Sequence, residues 1–126
     1  MQEPLDHHRL DDALSRLDRA LRDHDLHTAR LQLAIFAAGL DRYVRSEERV
    51  LFPLIERLLP AHSASTTCMR REHGSLRSLV ANMKEALDRY DEPRRFDLLG
   101  DLRSVFLLHN TKEAWVIYPV LDRGAS

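Results

Sequence analysis

The chain has 126 residues, 44% of them apolar and 31% charged, with 19 basic against 20 acidic side chains and a net charge of −1. That length suits one ordinary domain, residues 1–126, with a core that needs no covalent staples. The balanced charge carries no basic excess for nucleic acid or an anionic membrane, and a single cysteine, Cys68, excludes an internal disulfide framework and any cysteine-cluster metal site.

The longest largely apolar stretch, residues 31–40, is about half a membrane span and contains Gln32. Residues 1–6 carry neither the basic start nor the apolar run of a secretory signal. A cytoplasmic location without membrane partners is the expectation.

Strand signals are scarce, with 6% aromatics and no Asn-Gly or Asp-Gly turn. Helical periodicity runs through the whole chain. A first seam is His7, Leu10, Leu14, Leu17 and Leu21; a second is Leu33, Phe36, Leu40, Tyr43, Glu47, Val50 and Leu54. A third runs His73, Leu76, Val80, Met83, Leu87, and a fourth Leu99, Leu102, Phe106, His109, Glu113, Val116, Val120. Each seam is narrow, as on a helix facing the middle of a bundle.

Breaks fall where helices should end. Asp23-His24-Asp25, with Thr28 as an N-cap, marks the first turn; Pro60 and the polar residues 63–67 mark the second; Asp91-Glu92-Pro93 marks the third. Pro53 and Pro119 predict a kink or local end inside the second and fourth helices, because proline removes a backbone donor. Short connections favour antiparallel neighbours, so the predicted fold is all-α, an up-down-up-down four-helix bundle.

Sliding the chain on itself by 66 residues aligns its halves without a gap. Asp6-His7 falls on Glu72-His73, Tyr43 on His109, Glu47 on Glu113, and Phe52-Pro53 on Tyr118-Pro119. Identity is low, but the shared placement of His, Glu and Pro points to two copies of one helical hairpin.

The repeat puts His7, Tyr43, Glu47, His73, His109 and Glu113 at seam positions otherwise held by apolar residues. Measured from the turns near residues 25 and 92, all six reach one level of the bundle at about 1.5 Å per residue. Tyr43/Glu47 and His109/Glu113 are spaced i, i+4 and share a helix face. An unpaired buried carboxylate costs several kcal/mol even after relaxation. A cation removes that cost, and imidazole nitrogen with carboxylate oxygen suits iron, manganese or zinc. Glu47 and Glu113 come from opposite halves and are placed to bridge two ions, with His7, His73 and His109 as terminal nitrogens. The plainer alternative is a set of buried polar groups satisfied by one another and by water.

The other candidates are weaker. His8, His24, His27 and His62 read as surface residues, and Cys68 as an inert thiol near a helix start. Met69, Met83 and Trp115 read as core or interface filler, with Phe96 and Trp115 candidates for a homodimer contact. No phosphate-binding glycine loop and no Ser/His/Asp set occurs.

Asp6-His7-x-x-Leu10, Tyr43-x-x-x-Glu47-Glu48-x-x-Leu51-Phe52-Pro53, Glu72-His73-x-x-Leu76 and His109-x-x-x-Glu113-x-x-x-Ile117-Tyr118-Pro119 resemble the hemerythrin-like, or HHE cation-binding, domain over nearly the whole chain. The resemblance implies an antiparallel four-helix bundle around a dinuclear non-haem iron centre. It implies as ligand a small diatomic, dioxygen or nitric oxide, or peroxide, which would be bound, sensed or reduced. Carried over, His7, Glu47, His73, His109 and Glu113 match ligand positions, with the glutamates as bridges. Two positions depart from the family. Its second-helix histidine is Tyr43 here, which either ligates ferric iron as phenolate or hydrogen-bonds beside the site. The second third-helix histidine of the oxygen carriers is Arg77, which has no lone pair for a metal. These departures leave open a single ion, an asymmetric pair or a metal other than iron, and, as an alternative function, a helical interaction module with a degenerate site.

Overall fold

The structure is a computed structural model describing the backbone of residues 4–89 and 91–117 and the side chains of residues 8–89 and 91–115. Every regular element among them is helical. Helix α1 spans Pro4–Arg22 and α2 Leu26–Ser46. A π-helical turn, Glu47–Leu51, joins α2 to α3, Phe52–Leu58. A 3-10 turn, Pro60–His62, leads into α4, Ser63–Asp88, and α5, Glu92–Lys112, runs into a second π-helical turn, Glu113–Ile117. Since α2, its π turn and α3 continue without a break, the chain makes a bundle of four helical segments. Helix α1 packs chiefly on α2, and α4 on α5; α2 on α4 and α1 on α5 close the bundle.

The turns ahead of α2 and α5 are built alike. Asp25 precedes α2 and Asp91 precedes α5, and the carboxylate of each accepts from the backbone N–H three residues on, Thr28 at 3.1 Å and Arg94 at 3.2 Å. The N-cap is therefore Asp25, not Thr28; Thr28 Oγ1 donates back to the same carboxylate at 2.6 Å. These bonds hold the Asp25 carboxyl below its ordinary range, the Thr28 hydroxyl contributing most. Ahead of Asp25, His24 takes a left-handed φ of 55°, and the Asp25 N–H returns to the Ala20 carbonyl at 2.8 Å, which closes the end of α1. Arg95, buried, closes the end of α4 by donating to the Ala86 and Leu87 carbonyls at 3.0 and 3.1 Å.

The core follows the predicted seams through most of their length. Leu10, Leu14, Leu17, Leu21, Leu33, Phe36, Leu40, Leu76, Met83, Leu87, Leu99, Leu102 and Phe106 are all buried in one cluster, with Phe36 and Phe106 edge to face. Gly39 lets α1 and α2 approach closely: a Cβ there would lie 2.9 Å from Leu10 Cδ2.

The second seam goes out of phase at Glu47. Val50, expected inward, is 66% exposed and Leu54 only half-buried, whereas Leu51, Phe52 and Ile55 are buried with Met69. The π turn explains this. The Phe52 N–H reaches back five residues to the Glu47 carbonyl, so one extra residue enters the turn and later side chains rotate past their expected faces. The predicted interruption at Pro53 takes this form, the wider turn giving the proline ring room that an α-helix would deny it.

Two further expectations are corrected. The polar residues 63–67 form the start of α4 instead of a loop, with Thr66 and Thr67 hydroxyls both donating to the Ser63 carbonyl. Trp115 is not core: it is 79% exposed, on the outer side of the second π turn. Pro119, Tyr118 and Val120, and the side chain of Val116, lie outside the described residues.

Candidate functional site

Both π turns begin at a glutamate singled out by the repeat, Glu47 and Glu113, and both carboxylates point inward. One turn earlier on the same faces stand Tyr43 and His109, and His73 meets them from the middle of α4. All five side chains are buried, with Glu47 no more than 2% exposed. The side chain of His7 lies outside the described residues; its backbone is in the first turn of α1.

The contacts converge on one oxygen. Glu47 Oε1 lies 2.8 Å from His73 Nε2 and 3.1 Å from His109 Nε2, and the two nitrogens are 3.3 Å apart. His109 Nε2 also meets Glu113 Oε1 at 2.5 Å, and the Tyr43 hydroxyl donates to that same Glu113 oxygen. The repeat relates these cross-pairs: a shift of 66 residues turns His109–Glu47 into Tyr43–Glu113.

The outer ring nitrogens are also engaged. His73 Nδ1 is 2.7 Å from Glu48 Oε2, and His109 Nδ1 is 3.0 Å from Glu72 Oε1. A carboxylate only accepts, so each Nδ1 carries a proton and each Nε2 is turned inward. Lys112 donates to the other oxygen of Glu72 and to Cys68 Sγ, the latter at 3.4 Å. Glu72 raises the Lys112 ammonium above its ordinary range, and that hydrogen bond is the largest influence.

Aromatic packing fixes the other face of His73. Phe52 stacks on its ring with centroids 5.4 Å apart and 15° between planes, and the Arg70 guanidinium covers Phe52 at 5.3 Å. Arg70 is held by both oxygens of Glu56, which also accepts from Thr66. The π turn brings Phe52 inward and so places this stack.

Electrostatics show what the cluster lacks. Burial pushes the Glu47 carboxyl above the ordinary range, against the opposing pull of hydrogen bonds from His109 and His73. Burial would likewise push His109 down, but its hydrogen bonds to Glu113 and Glu47 and their charges outweigh this and take it up to about 10. A proton on His109 thus stands where two carboxylates call for positive charge. Glu47 Oε2 has no hydrogen-bond partner among the described residues. One ligating atom each from Glu47, His73 and His109 lie within 4.8 Å of one another. An orphaned carboxylate oxygen beside two inward imidazole nitrogens is a donor set that fits a transition-metal cation.

The family model for the hemerythrin HHE cation-binding domain matches residues 4–121. The chain belongs to that family. No curated protein and no solved structure gives a significant match. For this hemerythrin HHE domain the family implies binding of a metal, typically iron, and Glu47, His73 and His109 form a candidate site.

Arg77, where oxygen carriers of the family have a histidine, is turned outward, 3.6 Å from Asp41 at the surface. His8, His24 and His27 are exposed and His62 is half-buried in the 3-10 turn. Cys68 is exposed, and Met69 and Met83 are core. Glu48, Glu72 and Lys112 were not singled out from the sequence. Glu48 and Glu72 flank Glu47 and His73 in the chain, but charged residues beside a seam read equally well as solvated. An apolar cleft of about 350 Å³, lined by Leu33, Ala37, Val80 and Leu87, lies between α2 and α4. No described cluster residue lines it. No described helix is long and apolar enough to cross a membrane.

Proposed function

We propose that the whole chain, residues 1–126, is one antiparallel up-down-up-down hemerythrin-like bundle that holds a dinuclear non-haem iron centre. We propose further that it binds, senses or reduces dioxygen, nitric oxide or peroxide in the cytoplasm. The observation that carries the reading is the pair of buried imidazole Nε2 atoms turned onto one carboxylate oxygen, each Nδ1 occupied by a second carboxylate. Mutual hydrogen bonding leaves one buried group of the cluster over, Glu47 Oε2, which has no partner among the described residues.

In this reading Glu47 and Glu113, one from each half, would supply the carboxylate oxygens that hold the ions, and His7, His73 and His109 would supply nitrogens. When bound, iron supplies electrons and an open coordination position to a small oxidant. The chain's own residues do the rest. Glu48 and Glu72 hold their imidazoles with Nε2 inward. Phe52, Phe106 and Leu40, all buried, keep bulk water from the cluster. Tyr43 holds its hydroxyl proton on Glu113 Oε1, which fixes that carboxylate at the edge of the cluster. That contact favours Tyr43 as a donor beside the site over Tyr43 as a ligand.

Metal analysis of the purified protein with ultraviolet-visible spectra is the test. Iron at two equivalents, with absorption that changes on adding dioxygen, nitric oxide or peroxide, is expected. A colourless, metal-free protein whose melting point ignores added iron would remove the proposal.

The second reading, a helical module with a degenerate site, is favoured by one observation, the turning of Arg77 away from the cluster to Asp41. It expects His7→Ala and Glu47→Ala to leave metal content at zero and stability little changed.

A further inference from the structure

We propose that Glu48 and Glu72 are positioning residues that aim the His73 and His109 imidazoles at a shared cation. They make this half of the site the tight half, so one ion binds far more strongly than any second. The proposal rests on the metal-binding reading above and adds an order of affinity within the site.

Three observations support it. The first is orientation. Glu48 on His73 and Glu72 on His109 require a proton at each Nδ1, so Nε2 is the nitrogen each ring has left for a cation. The two Nε2 atoms, 3.3 Å apart and facing Glu47 Oε1, then form a preformed trio of donors.

The second is restraint. Glu72 has both oxygens engaged, one by His109 Nδ1 and the other by Lys112, so it is held on the ring and away from the centre. The clamp spans two helices, Glu72 on α4 and Lys112 at the end of α5, and ties the orientation of His109 to their packing.

The third is asymmetry under the repeat. The residue 66 positions after Glu48 is Ala114, so the carboxylate that orients His73 has no counterpart for His7. Tyr43 stands at the position equivalent to His109 and spends its hydroxyl proton on Glu113. Arg77 contributes no donor and pairs with Asp41. The half built around His73 and His109 therefore has two oriented nitrogens, while the other half has fewer nitrogens and lacks the equivalent of Glu48.

The size of the effect follows from general behaviour: carboxylates that orient metal-binding imidazoles are worth about 10- to 100-fold in affinity. The experiment is a titration of the metal-free full chain with Zn(II), which is redox-silent, against a chelating indicator of known affinity. The expected result is one tight equivalent, with any second equivalent about 10- to 100-fold weaker. Glu72→Ala and Glu48→Ala are each expected to weaken the tight equivalent by about 10- to 100-fold. Glu72→Gln, which keeps an acceptor for Nδ1, should fall between parent and Glu72→Ala. A purely structural role would lower the melting temperature of the metal-free variants while leaving Zn(II) affinity intact, and would overturn the proposal. Two equivalents of equal affinity would overturn it too. No uptake of Zn(II) or Fe(II) at all would instead overturn the metal-binding reading on which it stands.

Discussion

Replacing Glu47 with glutamine tests whether the core is shaped for a cation. Glu47 is 2% exposed, its Oε1 is shared between two imidazoles, and its Oε2 has no partner among the described residues. In the metal-free protein that charge is a liability, since an incompletely partnered buried carboxylate costs several kcal/mol. A carboxamide of nearly the same shape removes the charge, while its oxygen still accepts from an imidazole N–H. The cluster also loses attraction for the His109 proton, so only part of the penalty is recovered. Metal-free Glu47→Gln is therefore expected to be more stable than the parent by about 1–2 kcal/mol. For a chain of this length that is roughly 4–8 °C in Tm. With cation present the order reverses. At a free concentration 100 times Kd, the parent gains about 2.7 kcal/mol by linkage, roughly 10 °C, while the variant lacks the central anionic donor and gains almost nothing. Thermal melts followed by circular dichroism, with chelator and then with excess Zn(II) or anaerobic Fe(II), read both effects. The electrostatic reasoning fails if the metal-free variant melts several degrees below the parent and no cation moves the parent, because Glu47 would then be only a structural acceptor.

Three further outcomes are expected. The Arg70 guanidinium, more than Thr66, holds Glu56 at about 2, below its unfolded value of 4.5, so this pair's stabilisation is complete above pH 4.5 and disappears as pH falls toward 2. Glu56→Gln should flatten the acid limb of a Tm–pH profile and cost roughly 1 kcal/mol at neutral pH, since solvent screens this partly exposed pair. Gly100→Ala and Gly74→Ala, in helix interiors where an added Cβ meets nothing within 4 Å, should each stabilise by about 0.5–1 kcal/mol in urea unfolding. Gly39→Ala should yield less, because Leu10 must give way. Leu102→Ala, at a fully buried position, should cost about 2–5 kcal/mol in the same assay, and a loss under 1 kcal/mol would contradict its place in the core.

How far the fold could be read from the sequence depended on whether a feature repeats. Leu10, Leu14, Leu17 and Leu21, or Leu99, Leu102 and Phe106, recur at a helical period, and a period survives any uncertainty about where a helix begins. The gathering of Glu47, His73, His109 and Glu113 was legible for the same reason, since the two hairpins count equal numbers of residues from turn to site. Val50 was misplaced because a π turn adds a single residue, and nothing in a periodic pattern marks a one-residue slip before its effect on burial is seen. Residues 63–67 were mistaken for a loop because small hydroxyl residues favour loops, whereas here Thr66 and Thr67 turn their hydroxyls onto the Ser63 carbonyl inside the first turns of α4.

By itself the sequence determined that ionisable side chains from two equivalent hairpins lie on the apolar stripes of helices at a common height, because period and chain length are properties of one dimension. Only the tertiary structure decided which atoms meet. The turning of both Nε2 atoms onto Glu47 Oε1, the holding of the rings from behind by Glu48 and Glu72, and the engagement of Lys112 depend on helix rotation and crossing. Those are set by how whole faces pack, and no local stretch of chain encodes them.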